Sequence, residues 1–331
     1  MNTNIKGFLA RAASTSNPQY PPNSNSAFDP TPWECPQHGF TMGPVLGRGS
    51  FGAVIFATKN SDTSAAPLAI KLFPPPQSQS DAQKQDEEAL VHRRLTTLGC
   101  DAIMPLLSAH FFKSSGQRML VMPLSDCGTL LDILLRDGPL TEVNARVVIK
   151  RIITALATMH EAGVIHRDVS AKNIVLDSKG SARLCDFGLA WDLSRPDIRN
   201  RLRPIGTPES CAPEIYSRNG AQRVYSAAGD IFGLGVIAVN VLAGYAPFRS
   251  ERKCANWPYG ERQVFENDIS TQFCSLAWGS VWQKVSTDAK ELISRCLDKN
   301  PNKRPTADQL LNHSWLSPPT TSVSSDSRVK A

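Results

Sequence analysis

The 331-residue sequence predicts an α+β protein, and three stretches carry that expectation. Around residues 46–57 a glycine-rich run is followed by the apolar, β-prone Ala53-Val54-Ile55-Phe56-Ala57, the pattern of a hairpin tip between two strands. Met119-Leu120-Val121-Met122 reads as a further strand. Between residues 140 and 162 Val143, Val147, Ile152, Leu156 and Met159 fall near one stripe of a helix. The chain is long enough for one large domain or for two lobes with sizeable cores.

Composition narrows the class. With 41% apolar and 20% charged residues the chain is an ordinary globular protein. A net charge of +6 suits an anionic ligand such as a nucleotide, and no Lys/Arg run points to nucleic acid. Eight cysteines without a C-x-x-C pair argue against a zinc site or a disulfide framework, and fit a reducing compartment. No apolar run approaches the roughly 18 residues of a membrane span.

In chain order, residues 1–38 are rich in Asn, Ser, Pro and Ala and read as a disordered arm. The first 28 hold Lys6 and Arg11 but no Asp or Glu, which keeps an organellar transit peptide as the alternative. Asn2 excludes N-myristoylation. Leu46-Gly47-Arg48-Gly49-Ser50-Phe51-Gly52-Ala53-Val54 fits G-x-G-x-x-G-x-V. Because a strand and not a helix follows, its small residues would let backbone N–H groups approach phosphates rather than form a dinucleotide turn. Lys71 ends the apolar run Leu68-Ala69-Ile70, where a cation is costly unless paired. The helix-prone segment Asp81–Leu98 offers Glu87 and Glu88 as partners. Glu88 shares a face with Val91 and Leu95 but puts His92 at +4; Glu87 puts Arg94 at +7. Glu88 is slightly favoured, and the other glutamate is expected at the solvated surface.

The chemistry concentrates in His166-Arg167-Asp168-Val169-Ser170-Ala171-Lys172-Asn173. A carboxylate at 168 can accept a hydroxyl proton while an amide oxygen at 173 holds a metal ion. Thirteen residues on, Asp186-Phe187-Gly188 supplies a second acid for the same ion. The pairing of H-R-D-x-x-x-x-N with D-F-G resembles the catalytic core of the protein kinase family. Seven motifs stand in that family's order over about residues 40–317, among them Gly206-Thr207-Pro208-Glu209-Ser210-Cys211-Ala212-Pro213-Glu214, Asp230-Ile231-Phe232-Gly233 and Asn300-Pro301-Asn302-Lys303-Arg304-Pro305. The G-T-P-E run favours Ser/Thr over Tyr substrates. Residues 282–316 are most similar to the calcium/calmodulin-dependent kinase group.

The resemblance implies a two-lobed α+β kinase fold: a small antiparallel-sheet lobe with one helix (39–122), a hinge (123–128) and a mainly helical lobe (129–317). Residues 249–260 look like an insertion, and 318–331 form a disordered tail. The implied cofactors are ATP and Mg2+. Lys71 would bind the α- and β-phosphates and pair with Glu88. Asp168 would take the substrate hydroxyl's proton, and Asn173 and Asp186 would hold the metal. Met122 would be the gatekeeper, with the Pro123 carbonyl and the Ser125 N–H on adenine. Leu46, Val54, Ala69 and Val175 would sandwich the ring, while Gly47, Gly49, Ser50, Phe51 and Gly52 cover the phosphates. Asp230 would brace the catalytic loop, and Glu214 and Arg304 would form a buried ion pair.

Several departures from the family pattern generate expectations of their own. Ser170 stands where Ser/Thr kinases usually have Lys, and Lys172 is placed to neutralise the γ-phosphate instead. Arg203 occupies the usual phosphosite, so activity without phosphorylation there is expected, with Asp192 or Asp197 as partner of Arg167; Ser194 is the alternative regulatory site. Thr129, Lys172 and Asn240 replace the acids that select upstream Arg, unless Asp126, Asp132 or Glu209 rebuild that preference. Cys185 is either an alkylatable thiol or a buried inert one. His38, His110, His160 and His313 read as isolated. The expected partners are protein substrates, with no built-in calcium or calmodulin site; the expected location is cytoplasmic or nuclear.

Overall fold

The computed structural model describes residues 39–49, 52–60, 66–113, 115–196, 205–215, 225–244, 247 and 282–317. The arm 1–38, Ser50, Phe51, Asp197, Arg203, the 249–260 stretch and the tail 318–331 lie outside the described residues.

Five strands form one antiparallel sheet in the order β1-β2-β3-β5-β4: β1 Phe40–Gly49, β2 Gly52–Lys59, β3 Leu68–Leu72, β4 Ser108–Phe112 and β5 Gln117–Pro123. The glycine motif is the β1–β2 hairpin, closed by the pair Gly49↔Gly52. Gly52 sits at φ 138, and a Cβ there would lie 2.2 Å from the Leu72 carbonyl oxygen, so only glycine fits. Strand alternation divides the sheet. Ala53, Ile55, Ala57, Ile70, Leu72, Met119 and Val121 pack together on one face. The register aligns Val54 with Lys71, and Ala69 with Phe56 and Met122, on the other.

Helix α1, Gln79–Thr97, is capped by the Ser78 hydroxyl accepting from Asp81 N. Its stripe Glu88, Val91, His92 and Leu95 is buried. Val91 and Leu95 join the larger core of the second lobe, which also holds the helices Glu142–Glu161 and Ala227–Ala243, so the helix bridges both lobes. Truncating Leu95 to alanine would cost about 2–5 kcal/mol, the range for fully buried leucines.

The second lobe contains α2 Leu130–Asp137, α3 Glu142–Glu161, β6 Val164–Ile165, β7 Ile174–Leu176, β8 Ala182–Leu184, β9 Trp191–Asp192, α4 Ala227–Ala243, α5 Thr287–Cys296 and α6 Ala307–Leu311. Helix α3 corrects the expected stripe: Val143 and Val147 are exposed. Its inward face runs through Ala145, Val148, Ile149, Ile152, Leu156 and Met159, which lie on the side of the helix opposite Val143 and Val147. Helix α4 is buried nearly all round, as its continuous apolar sequence dictates. Two of its glycines mark close approaches: a Cβ at Gly233 would lie 2.6 Å from the Val169 carbonyl, and one at Gly235 2.8 Å from Cys296 Cβ.

Arg304 and Glu214 do form the expected ion pair, bidentate at 2.7 and 2.8 Å. The guanidinium also donates to the Ala228 and Asp298 carbonyls and stacks on Phe232.

Candidate active site

Lys71 projects from β3 between two carboxylates. Its Nζ lies 2.6 Å from Glu88 Oε1 and 2.7 Å from Asp186 Oδ1. Burial pulls the ammonium down, but the charges of Asp186 and Glu88 outweigh it and hold Lys71 above the ordinary lysine range. Burial pushes the Asp186 carboxyl up, and Lys71 with the Gly188 N–H overcomes that and keeps it below its usual range. Glu88 is therefore the lysine's partner. Glu87 departs from expectation: it is buried rather than solvated, and pairs with Arg195 Nη2 at 2.9 Å.

Asp168 is held from several sides. Thr207 donates to Oδ1 through both its N–H and its hydroxyl, each at 2.6 Å. Asn173 Nδ2 donates to Oδ2 at 2.7 Å and to the Asp168 carbonyl at 2.8 Å. Half-exposed Lys172 places Nζ 3.7 Å from Oδ2, and Ser170 Oγ lies 3.4 Å from the Thr207 hydroxyl. Gly206, at φ 100, lets the incoming segment pass under the loop: a Cβ there would lie 2.6 Å from the Arg167 carbonyl.

The loop's backbone is fixed from below. Buried Asp230 on α4 accepts the His166 N–H at 2.8 Å, the Arg167 N–H at 2.9 Å and His160 Nε2 at 2.9 Å. Burial raises that carboxyl; the donors, His160 first, bring it below its ordinary range. Arg167 and Asp186 both sit at positive φ, 66 and 60, a sparsely populated region for side-chain-bearing residues that such over-determined contacts sustain. The Arg167 Nε donates to the Leu189 carbonyl, with the guanidinium over Trp191 and Tyr225. Asp192 does not serve Arg167 as expected; its carboxylate faces Arg94 and Ser194.

The remaining predicted positions differ in burial. Leu46 and Val54 are half-buried, Gly47 and Gly49 exposed, Ala69 and Met122 buried, and Pro123, Ser125 and Val175 half-buried. Val175 reaches the hinge side through its bridge to Thr129. The Ser125 hydroxyl is shut off from solvent and finds no partner among the described residues, a polar atom that a nucleotide could satisfy. For a divalent cation the donors are hard oxygens, Asp186 and the Asn173 amide; the bonds Asp186 accepts fall on Oδ1, leaving Oδ2. Among the described residues no three His, Cys, Asp or Glu side chains cluster for a metal. The set fits a nucleotide with its cation. Burial pushes the Cys185 thiol well up, which favours the inert alternative.

Sequence reasoning missed the bond of Thr207 to Asp168, the bracing of Asp230 by His160, and the pairs from α1 to Asp192 and Arg195. Only the seven-residue spacing of Glu87 and Arg94, which puts both on one helix face, hinted at the last.

Comparison with known proteins agrees with this geometry. Residues 40–316 match the protein kinase domain family. The chain is 28% identical over 292 residues to the probable serine/threonine-protein kinase fhkE of Dictyostelium discoideum, covering 86% of this chain and 38% of that protein. It is 32% identical over 286 residues to a CDPK-related protein kinase of Daucus carota, covering 84% and 44%. It is also 32% identical over 212 residues to the calcium/calmodulin-dependent protein kinase cmkB of Emericella nidulans, covering 63% and 49%. The chain thus spans about half or less of these relatives. No helix among the described residues is long and apolar enough to cross a membrane. The family uses ATP with a divalent metal and acts on protein substrates, and by the match over residues 40–316 the chain belongs to the protein kinase family.

Proposed function

We propose that this protein transfers the γ-phosphoryl group of Mg-ATP to serine or threonine hydroxyls of proteins. The observation that carries the reading is Asp168, fixed by Thr207 and Asn173 on the same loop that Asp230 braces, with Lys71 paired to Glu88 and Asp186. Asp168 accepts the proton of the substrate hydroxyl. The hydroxyl oxygen forms the new bond to the γ-phosphorus, the bond from that phosphorus to the bridging oxygen breaks, and ADP departs. Lys71 holds the α- and β-phosphates, and Lys172, beside Asp168, offsets γ-phosphate charge where Ser170 carries none. Mg2+, held by Asn173 and Asp186, supplies charge neutralisation when bound. The hairpin glycines Gly47, Gly49 and Gly52 cover the phosphates, and Leu46, Val54, Ala69 and Val175 enclose the adenine against Met122, Pro123 and Ser125. On this reading the small lobe is 39–122, the hinge 123–128 and the large lobe 129–317, and the protein acts in the cytoplasm or nucleus, where free thiols such as Cys100 and Cys211 persist.

Substrate choice follows from the acids near the cleft. Asp132 is occupied by capping Thr129, accepting its N–H at 3.0 Å and its hydroxyl at 2.6 Å, and Asp126 accepts the Ser178 N–H at 2.7 Å. Lys172 would repel a basic residue, so upstream Arg is not selected. The test is transfer of labelled phosphate from ATP to a positional peptide library. Wild-type protein should label Ser/Thr peptides without Arg enrichment at −3; Asp168→Asn should bind ATP and transfer nothing, and Asp186→Asn should lose transfer. Nucleotide binding without transfer by the wild type would refute the enzymatic reading, and strong Arg enrichment would refute the substrate reading.

A further inference from the structure

Glu88 has a neighbour that is equally engaged. Glu87 is nearly shut off from solvent, and its carboxylate meets Arg195 Nη2 at 2.9 Å. Two turns along the same helix face Arg94 meets the Asp192 carboxylate, and its other nitrogen donates to the Ala162 carbonyl at 2.6 Å. At 1.5 Å per residue the two fastenings lie about 10 Å apart along the axis. The receiving turn is itself organised. Asp192 Oδ1 accepts the N–H and hydroxyl of Ser194 at 3.0 and 2.6 Å, the Asp192 carbonyl accepts the Arg195 N–H at 3.0 Å, and the Trp191 indole donates to the Arg195 carbonyl at 3.0 Å. Through Val164↔Asp192 and Ile165↔Trp191 this turn pairs with the strand that runs into His166 and Asp168.

We propose that Glu87 and Arg195 are positioning residues for phosphoryl transfer: their ion pair, with Arg94–Asp192, latches helix α1 onto the turn 191–195 and so keeps Glu88 on Lys71. The proposal rests on the kinase reading. Adjacent carboxylates on one helix serve two different cations, Glu88 the one at the nucleotide site and Glu87 the one on the following segment. Any outward swing of α1 that parts Glu88 from Lys71 also carries Glu87 and Arg94 off the turn. Contacts made only with the helix seated bias the chain towards that state, and they use carboxylates of the chain itself rather than an added phosphate. Arg195 is partly open to solvent, with 43% of its side chain exposed, so removing its charge alone acts weakly and reversing it acts more strongly, by setting a second anion against Glu87.

The test compares wild type, Arg195→Glu, Glu87→Arg and the swapped double variant, all as full chains treated with phosphatase. Two quantities are read: kcat at saturating ATP, and amide hydrogen exchange of residues 79–97. Each single reversal should lower kcat by roughly fivefold or more and speed exchange of the helix, and the double variant should recover both to within about twofold of wild type. Single reversals that leave kcat and exchange at wild-type values overturn the latch. So does a double variant no better than either single, since that would mean lost packing or stability rather than a lost pair. Inactive wild-type protein would instead refute the proposed function, and the exchange data would still decide the latch.

Discussion

Replacing His92 with leucine should remove part of the protein's sensitivity to acid. The ring is 2% exposed, lies with Nε2 2.8 Å from the Met104 carbonyl, and packs edge-on to Phe187 at a centroid distance of 4.8 Å. Burial, opposed by the Met104 carbonyl and reinforced by the Lys71 charge, lowers the imidazole from 6.5 to about 4. The folded chain therefore holds the neutral ring, while the unfolded chain takes up a proton near pH 6.5. Between those values unfolding binds a proton, so the contribution is present in full above pH 6.5 and is lost as pH falls towards 4. The interval corresponds to about 3 kcal/mol by pH 4. Urea midpoints of wild type and His92→Leu, measured at half-unit steps from pH 7.5 to 4.5, isolate it, because the other titrating groups are common to both proteins. The leucine variant carries a constant offset from the lost hydrogen bond and altered packing; the gap between the curves should shift in its favour by about 2–3 kcal/mol across that range. Parallel curves would refute the reasoning, for they would mean that His92 titrates alike in the folded and unfolded chain.

Three further outcomes can be checked on the same protein. Glu214→Ala strands a guanidinium with a fully buried side chain on carbonyl partners alone, and should lower stability by about 3–5 kcal/mol, read as a fall in the urea midpoint. Thr207→Ala removes a hydroxyl bond to the Asp168 carboxylate and should reduce kcat roughly tenfold with little change in ATP affinity, because such bonds to charged groups are worth about 1.5–3 kcal/mol. Electrophile labelling followed by mass spectrometry should leave Cys185 unmodified with or without ATP, because desolvation keeps this half-buried thiol protonated; an ATP-protected adduct would contradict this.

Much of the fold could be read before any coordinates because local chemistry and tertiary placement agree there. The glycines of the β1–β2 hairpin, the pairing of Lys71 with a glutamate on α1, and the Glu214–Arg304 pair were all expected from residue type and order. Reading failed where two positions were locally equivalent. Glu87 and Glu88 are neighbours with the same chemistry, and only the seating of α1 between β3 and the turn at 191–195 reveals that both are buried and paired. Val143 stands nine residues before Ile152 and Val147 nine before Leu156, about 180° round a helix of 3.6 residues per turn, so burying the later pair turns both valines to solvent. The anchoring of Asp168 by Thr207, 39 residues away, and of Asp192 by Arg94, 98 residues away, depends on close approaches that no local pattern encodes.

The seating of Gly233 beneath the Val169 carbonyl constrains how this chain can diverge. In the middle of an exposed helix alanine would be preferred to glycine by about 1 kcal/mol, yet here the added methyl would lie 2.6 Å from a loop oxygen. A lineage that acquires it must move Val169, and with it the adjoining Asp168, or slide α4 against Cys296 and Leu297, which already crowd Gly235 from behind. A substitution ranked among the mildest by chemistry is thus among the least tolerated by position. Helix and loop form one inherited unit, and a change in either is expected to persist only alongside a matching change in the other.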